Sequence, residues 1–145
     1  MKKLLSILAL ILLLASCSTE PQQIDYGNEN CDFCTMTISD DRFASQLVLE
    51  TGKAYKFCSI ECLVRDYNRN ESYSDKDVNN YYVMDMSKPN TLIPVTDVAF
   101  LVSEKIQSPM GANLAAFENA EKAKELQKEW DGVIYNWDEL KTKFQ

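Results

Sequence analysis

The chain has 145 residues, with 15 basic and 22 acidic side chains, no histidine and a formal net charge of −7. The acidic balance leaves no basic patch to meet phosphates, so nucleic acid is excluded as a partner. The absence of histidine excludes Ser-His-Asp and Cys-His catalysis and every imidazole metal site, and leaves sulfur as the available chemistry, in five cysteines and five methionines.

Met1-Lys2-Lys3 precedes an apolar run from Leu4 to Ala15 that is broken only by Ser6. A spanning helix needs about 20 apolar residues. The shorter run with a charged start is read as a signal peptide over residues 1–16. It ends Leu14-Ala15-Ser16-Cys17, which resembles the lipobox of bacterial lipoproteins. That resemblance implies cleavage before Cys17 and a lipid on its thiol. Each buried CH₂ contributes ~0.8 kcal/mol, so several acyl chains give stable anchoring to membrane lipid. The expected location is extracytoplasmic, at the outer membrane or the periplasmic face, since Ser18 lacks the Asp that retains lipoproteins at the inner membrane of enteric bacteria. Residues 17–30 are polar, carry Pro21 and Gly27, and read as a lipidated tether.

Beyond the tether, Arg42 to Glu50 reads as a strand, Thr51-Gly52-Lys53 as a turn and Ala54 to Phe57 as a second strand closing a hairpin. Ser59 is an N-cap for a helix with Ile60, Leu63, Val64 and Tyr67 at helical spacing. Asn68 to Asp77 is a polar loop and Val78 to Met84 a third strand. Pro94 opens the second half, with a strand from Val95 to Val102, a turn at Pro109-Met110-Gly111 and a strand from Leu114 to Phe117. Asn119 caps a helix through Trp130, Asp131-Gly132 stops it, Val133 to Tyr135 is a strand, and Trp137 to Phe144 is a last short helix. Both halves run strand, turn, strand, helix, strand. The expected fold is therefore α+β, two small related ββαβ units packed together over residues 31–145, the first over 31–90 and the second over 91–145.

The informative segment is Cys31-Asp-Phe-Cys34-Thr-Met36, followed after one predicted hairpin by Cys58-Ser-Ile-Glu-Cys62. A hairpin that folds back brings the Cys-x2-Cys turn and the Cys-x3-Cys helix start together. Spacing alone leaves three readings open. Thiolates with the Met36 thioether suit Cu(I). Four cysteines in two pairs also suit structural zinc. In an oxidising compartment they also suit two disulfides. A thiol–disulfide redox pair is a further alternative, although the thioredoxin-like βαβ context is missing.

The run from Cys31 through Asp41-Arg42-Phe43-Ala44, then Gly52-Lys-Ala-Tyr-Lys-Phe-Cys58-Ser-Ile-Glu-Cys62, then Pro109-Met110-Gly111 with Ala116-Phe117, resembles the NosL family. Those are copper-binding accessory lipoproteins for nitrous oxide reductase. The resemblance implies a Cu(I) metallochaperone rather than an enzyme. It also implies delivery through an ABC-type maturation complex to the copper centres of the reductase. Residue by residue, Cys34 and Met36 match the family's cysteine–methionine start, Met110 its Met-Gly methionine and Cys62 a cysteine after the second strand. Cys58 stands where family members often carry aspartate, and no histidine ligand exists here, so the implied site is all sulfur: Cys31, Cys34, Met36, Cys58, Cys62 and Met110. The Phe57-to-Cys62 piece also resembles the TRASH and YHS-type metal-binding modules. Met84 and Met86 are read as core packing, and the Lys/Glu-rich helix as a solvated face.

Overall fold

The computed structural model describes residues 18–69 and 72–144. Cys17 and the signal segment, residues 1–16, lie outside the described residues. The chain forms β1 (Ser45–Leu49), β2 (Ala54–Phe57), α1 (Ile60–Arg69), β3 (Val78–Met84) and β4 (Leu92–Pro94), then β5 (Ala99–Val102), β6 (Leu114–Phe117), α2 (Ala120–Trp130), β7 (Val133–Tyr135) and α3 (Trp137–Lys143). The first sheet has the order β2-β1-β3-β4 and the second β6-β5-β7, every pair antiparallel. In both, the first strand of the unit sits in the middle, its hairpin partner on one side and the strand after the helix on the other. The α+β architecture and the two ββαβ units are as the sequence leads one to expect.

Burial explains the imperfect alternation of β1. Ser45 to Val48 are all buried because both faces of this central strand are covered. Leu47 faces the main core, while Gln46, fully buried, is satisfied by the N-terminal segment: its Oε1 accepts from the Gln22 backbone N–H at 2.9 Å and its Nε2 donates to the Gln22 carbonyl. Ile24 is buried in the main core, and the Gly27 N–H donates to the Ile38 carbonyl at 2.8 Å. Residues 22–30, expected as a free tether, are thus laid onto the domain, because an uncovered Gln46 face and a single isoleucine give them a place to pack.

Four boundaries differ from the sequence expectation, the first being the opening strand, which begins at Ser45 and not at Arg42 because residues 41–43 form a turn. The helix runs on to Arg69, into the stretch expected as loop. The expected strand Val95–Val102 is split: Val95–Asp97 is a 3₁₀ turn and only Ala99–Val102 pairs. Leu92–Pro94 is a short edge strand beside β3, with Pro94 opposite Tyr82, so Pro94 closes the first sheet instead of opening the second half. Proline is tolerated there because an edge strand needs no N–H on its open side.

The two units share one core. Leu47, Phe57, Ile60, Leu63, Val64 and Val83 of the first unit pack with Phe100, Leu114, Ala116 and Leu140 of the second. A smaller cluster around Phe43, Leu101, Ile106 and Phe117 lies under α2 through Ala123, and Met86 joins its edge while Met84 is fully buried in the main core. At the junction Asp85 bridges to Ala116, and the Met86 N–H donates to the Ala116 carbonyl at 2.9 Å. The α3 helix, held by an Asn136–Glu139 capping box, sets Trp137 against Tyr67, Tyr81 and Phe100. Among the described residues no helix is long and apolar enough to cross a membrane.

Candidate metal centre

The first cysteine pair lies on a tight turn. Asn30 and Thr37 bridge antiparallel, the Cys31 N–H donates to the Met36 carbonyl at 2.8 Å, and the Thr35 N–H to the Cys31 carbonyl at 2.9 Å. Thr35 takes the left-handed conformation, φ 64°, that closes such a turn. The Cys34 N–H points at the Cys31 sulfur, 3.5 Å away. A backbone N–H aimed at sulfur favours the thiolate, the form that binds metal.

The second pair is placed by the β2–α1 junction. Phe57 ends the strand in the core, Cys58 follows, and Ser59 caps the helix by accepting the Cys62 N–H at its Oγ, 3.3 Å away. The buried Ser59 is fixed in turn, since its carbonyl accepts from the Ser45 hydroxyl at 2.9 Å. Cys62 therefore sits in the first turn of α1, where the helix dipole favours negative charge.

A reciprocal pair of hydrogen bonds brings the two cysteine pairs together. The Asp32 N–H donates to the Lys56 carbonyl at 2.8 Å, and the Lys56 N–H donates back to Asp32 Oδ2 at 2.6 Å. The Lys56 ammonium reaches Glu29 at 2.6 Å and the Gln23 carbonyl at 2.8 Å. Asp32 and Lys56 are site residues that the sequence reading did not single out. The carboxylate between two cysteines was a visible signal, but its partner was not.

The result is a single sulfur cluster. The Sγ atoms of Cys31, Cys34, Cys58 and Cys62 all lie within 4.8 Å of one another, with Cys34 and Cys58 at 3.5 Å and Cys58 and Cys62 at 3.7 Å. All four are free thiols. Zn–S bonds of about 2.3 Å in a tetrahedron put sulfurs roughly 3.8 Å apart, so the cluster is already sized for one soft ion. Cys31, Cys58 and Cys62 are buried, and Cys34 alone is partly exposed. Hydrogen bonds from the Cys58 and Cys62 thiols hold Cys31 far below the usual thiol range. Bonding to Cys31 pushes Cys58 up to about 12, and bonding to Cys31 and Cys58, with burial, pushes Cys62 up strongly. The hydrogen bonding within the cluster thus favours the thiolate form at Cys31 and the thiol form at Cys58 and Cys62.

The methionines fall in different places. Met36 ends the Cys31–Met36 turn at the surface, 52 % exposed. Met110 is half-buried and packs against the core cluster that contains Cys31, Cys58 and Cys62. It rides on a turn closed by the Gly111 N–H donating to the Ser108 carbonyl at 3.0 Å, with Gly111 at φ +73°. That turn is tied to α1 by Glu61, a fully buried residue the sequence reading passed over. Glu61 Oε1 accepts from the Ser108 hydroxyl and, at 3.3 Å, from the Ala112 N–H.

The model of the NosL family matches residues 21–144 of this chain. The crystal structure of the copper chaperone NosL from Shewanella denitrificans is similar, with a TM-score of 0.67 at 26 % identity, over 84 % of this chain and 96 % of that one. No curated protein sequence matches.

Proposed function

The chain belongs to the NosL family, and on that premise we propose that it is an extracytoplasmic Cu(I) carrier, anchored to membrane lipid through Cys17, that hands copper to the maturation of nitrous oxide reductase. The observation that carries the copper reading is the cluster of four free thiols within 4.8 Å. Thiolates select soft ions, and the solved relative is a copper chaperone. A carrier needs a preformed site with an open side. Three sulfurs are buried to hold the ion, and the partly exposed Cys34 is the one an incoming partner thiol or thioether reaches first. Copper then leaves by ligand exchange, the partner's sulfur entering before Cys34 departs. The exposed Met36, two residues along, offers a second soft donor on the same rim. By family, the recipients are an ABC-type maturation complex and the reductase.

The test is titration of the reduced mature protein with Cu(I) against a competing chelator. One equivalent should be retained with a thiolate-to-copper absorption band, and Cys34→Ser should weaken retention. Loss of Cu(I) to the competitor by the parent protein overturns the reading. Structural zinc is the second reading, favoured by four thiols within 4.8 Å of one another, the number of ligands a structural zinc takes. It predicts that protein isolated from cells carries one zinc that Cu(I) does not displace. Palmitate labelling that disappears in Cys17→Ser tests the anchor. A deletion strain whose reductase lacks copper tests delivery.

A further inference from the structure

Glu61 is the one fully buried acidic side chain of α1, set among the apolar core residues Ile60, Leu63 and Val64 and the buried serines Ser59 and Ser108. One of its oxygens, Oε2, is buried with no hydrogen-bond partner. A buried carboxylate with a bare oxygen is costly, and an apolar side chain of similar volume would often stabilise a core better. Its other oxygen shows what the position gains. Oε1 accepts from both the Ser108 hydroxyl and the Ala112 N–H, the two ends of the turn that carries Met110. Ser108 Oγ also receives the Leu114 N–H at 3.3 Å, which ties the turn to the start of β6. Glu61 itself lies between Cys58 and Cys62, in the first turn of α1. One side chain therefore links the helix that carries Cys62 and follows Cys58, in the first unit, to the methionine turn of the second.

We propose that Glu61 is a positioning residue for the metal centre: it holds the Met110 turn against the cysteine helix, so that the thioether of the second unit serves the thiolate cluster of the first. This rests on the copper reading above and adds to it a residue that touches no metal. A glutamate suits the task because one side-chain oxygen accepts from two donors at once, at both ends of a short turn. Residues that orient ligands typically alter metal affinity by about 10–100-fold when replaced.

The experiment is a double-mutant cycle on the reduced mature protein, read with two metals. Cu(I) retention against a chelator should fall about tenfold in Glu61→Ala. It should fall equally in Met110→Leu, and no further in the double variant. Glu61→Gln, which keeps an oxygen for Ser108 and Ala112, should retain Cu(I) near the parental level. Zinc retention, which depends on the thiolates and little on a thioether, should be the same in all four variants. If Glu61→Ala does not fold, Ser108→Ala removes the hydroxyl link alone and carries the same expectation. The proposal is overturned by unchanged Cu(I) retention in Glu61→Ala or Met110→Leu, by additive losses in the double variant, or by parallel loss of zinc. A parent protein that cannot hold Cu(I) refutes the copper reading itself, which is a different outcome from a parent that binds and variants that bind equally well.

Discussion

Lowering the pH should expel metal from this centre steeply, and the steepness follows from the thiols. In the metal-free cluster Cys58, pushed up to about 12 by bonding to Cys31, and Cys62, pushed up by bonding to Cys31 and Cys58, both favour the protonated thiol in the neutral range. Cys31 is the sulfur whose thiolate form is favoured, by hydrogen bonds from those two thiols. A metal that takes all these sulfurs must displace at least two protons. The free protein binds more protons than the loaded one, so apparent affinity rises with pH and falls as acid is added. Two protons correspond to about a hundredfold change per pH unit, or about 2.7 kcal/mol. The assay is Cu(I) or zinc competition at several neutral pH values, with the chelator's own protonation accounted for. Calorimetry in buffers of different ionisation enthalpy counts the protons directly. Release of fewer than two protons per ion, or an affinity that changes less than about a hundredfold per pH unit, would refute the shared-proton picture of the cluster.

Other predictions concern single positions. Cys34→Ser should lower metal retention while leaving the metal-free melting temperature near the parent's, because Cys34 is partly exposed, whereas Cys62→Ser places a hydroxyl in a fully buried site and should also cost about 1–3 kcal/mol of stability. Equal melting losses in the two variants would contradict this assignment of burial. Gly132 has φ +121°, and a Cβ there would run into the Val102 carbonyl oxygen and lie 3.0 Å from Ser103 Cβ. Gly132→Ala should therefore cost about 2–4 kcal/mol and lower the melting temperature by roughly 10 °C; an unchanged melt would show that the β5–β7 pairing yields more easily than its geometry implies. Asp66 is held above the usual carboxylate range by burial, which outweighs the Tyr73 hydroxyl bond at 2.7 Å and is helped by the charges of Asp32 and Cys31. Its folded state thus binds more protons than the unfolded chain between the two pKa values, and stability drops as pH rises through that interval. Asp66→Asn should raise the melting temperature at neutral pH and lose that advantage near pH 3; a gain independent of pH would rule out charge burial as its cause.

Much of this fold was legible along the chain because its signals are local. Gly52 at φ +83° and the β1–β2 hairpin, Asn119 accepting the Glu121 and Lys122 N–H groups, and Ser59 capping α1 each act within a few residues. They follow from backbone conformation and capping chemistry wherever the chain ends up. The same is true of the pattern that repeats the ββαβ order, and of the two cysteine pairs, whose separation by one hairpin already implied that they could meet. The edge strand Leu92–Pro94 escaped notice because three residues with a proline carry no alternation, and only pairing with β3 makes them a strand.

The donor chemistry is written along the chain: sulfur without imidazole, in two cysteine pairs spaced for a turn and a helix start, on an acidic chain. Tertiary structure decided which sulfurs belong together and what holds them. It gathered four thiols, left Met36 at the surface, tucked Met110 against the core, clasped Asp32 to Lys56, and set Glu61 beneath the methionine turn. It also drew residues 22–30 onto the domain through Gln46. Each of these contacts joins segments well separated along the chain, and their pairing is fixed by which faces of the two sheets and α1 are buried against each other. No local propensity encodes that choice, since it emerges only when the shared core closes.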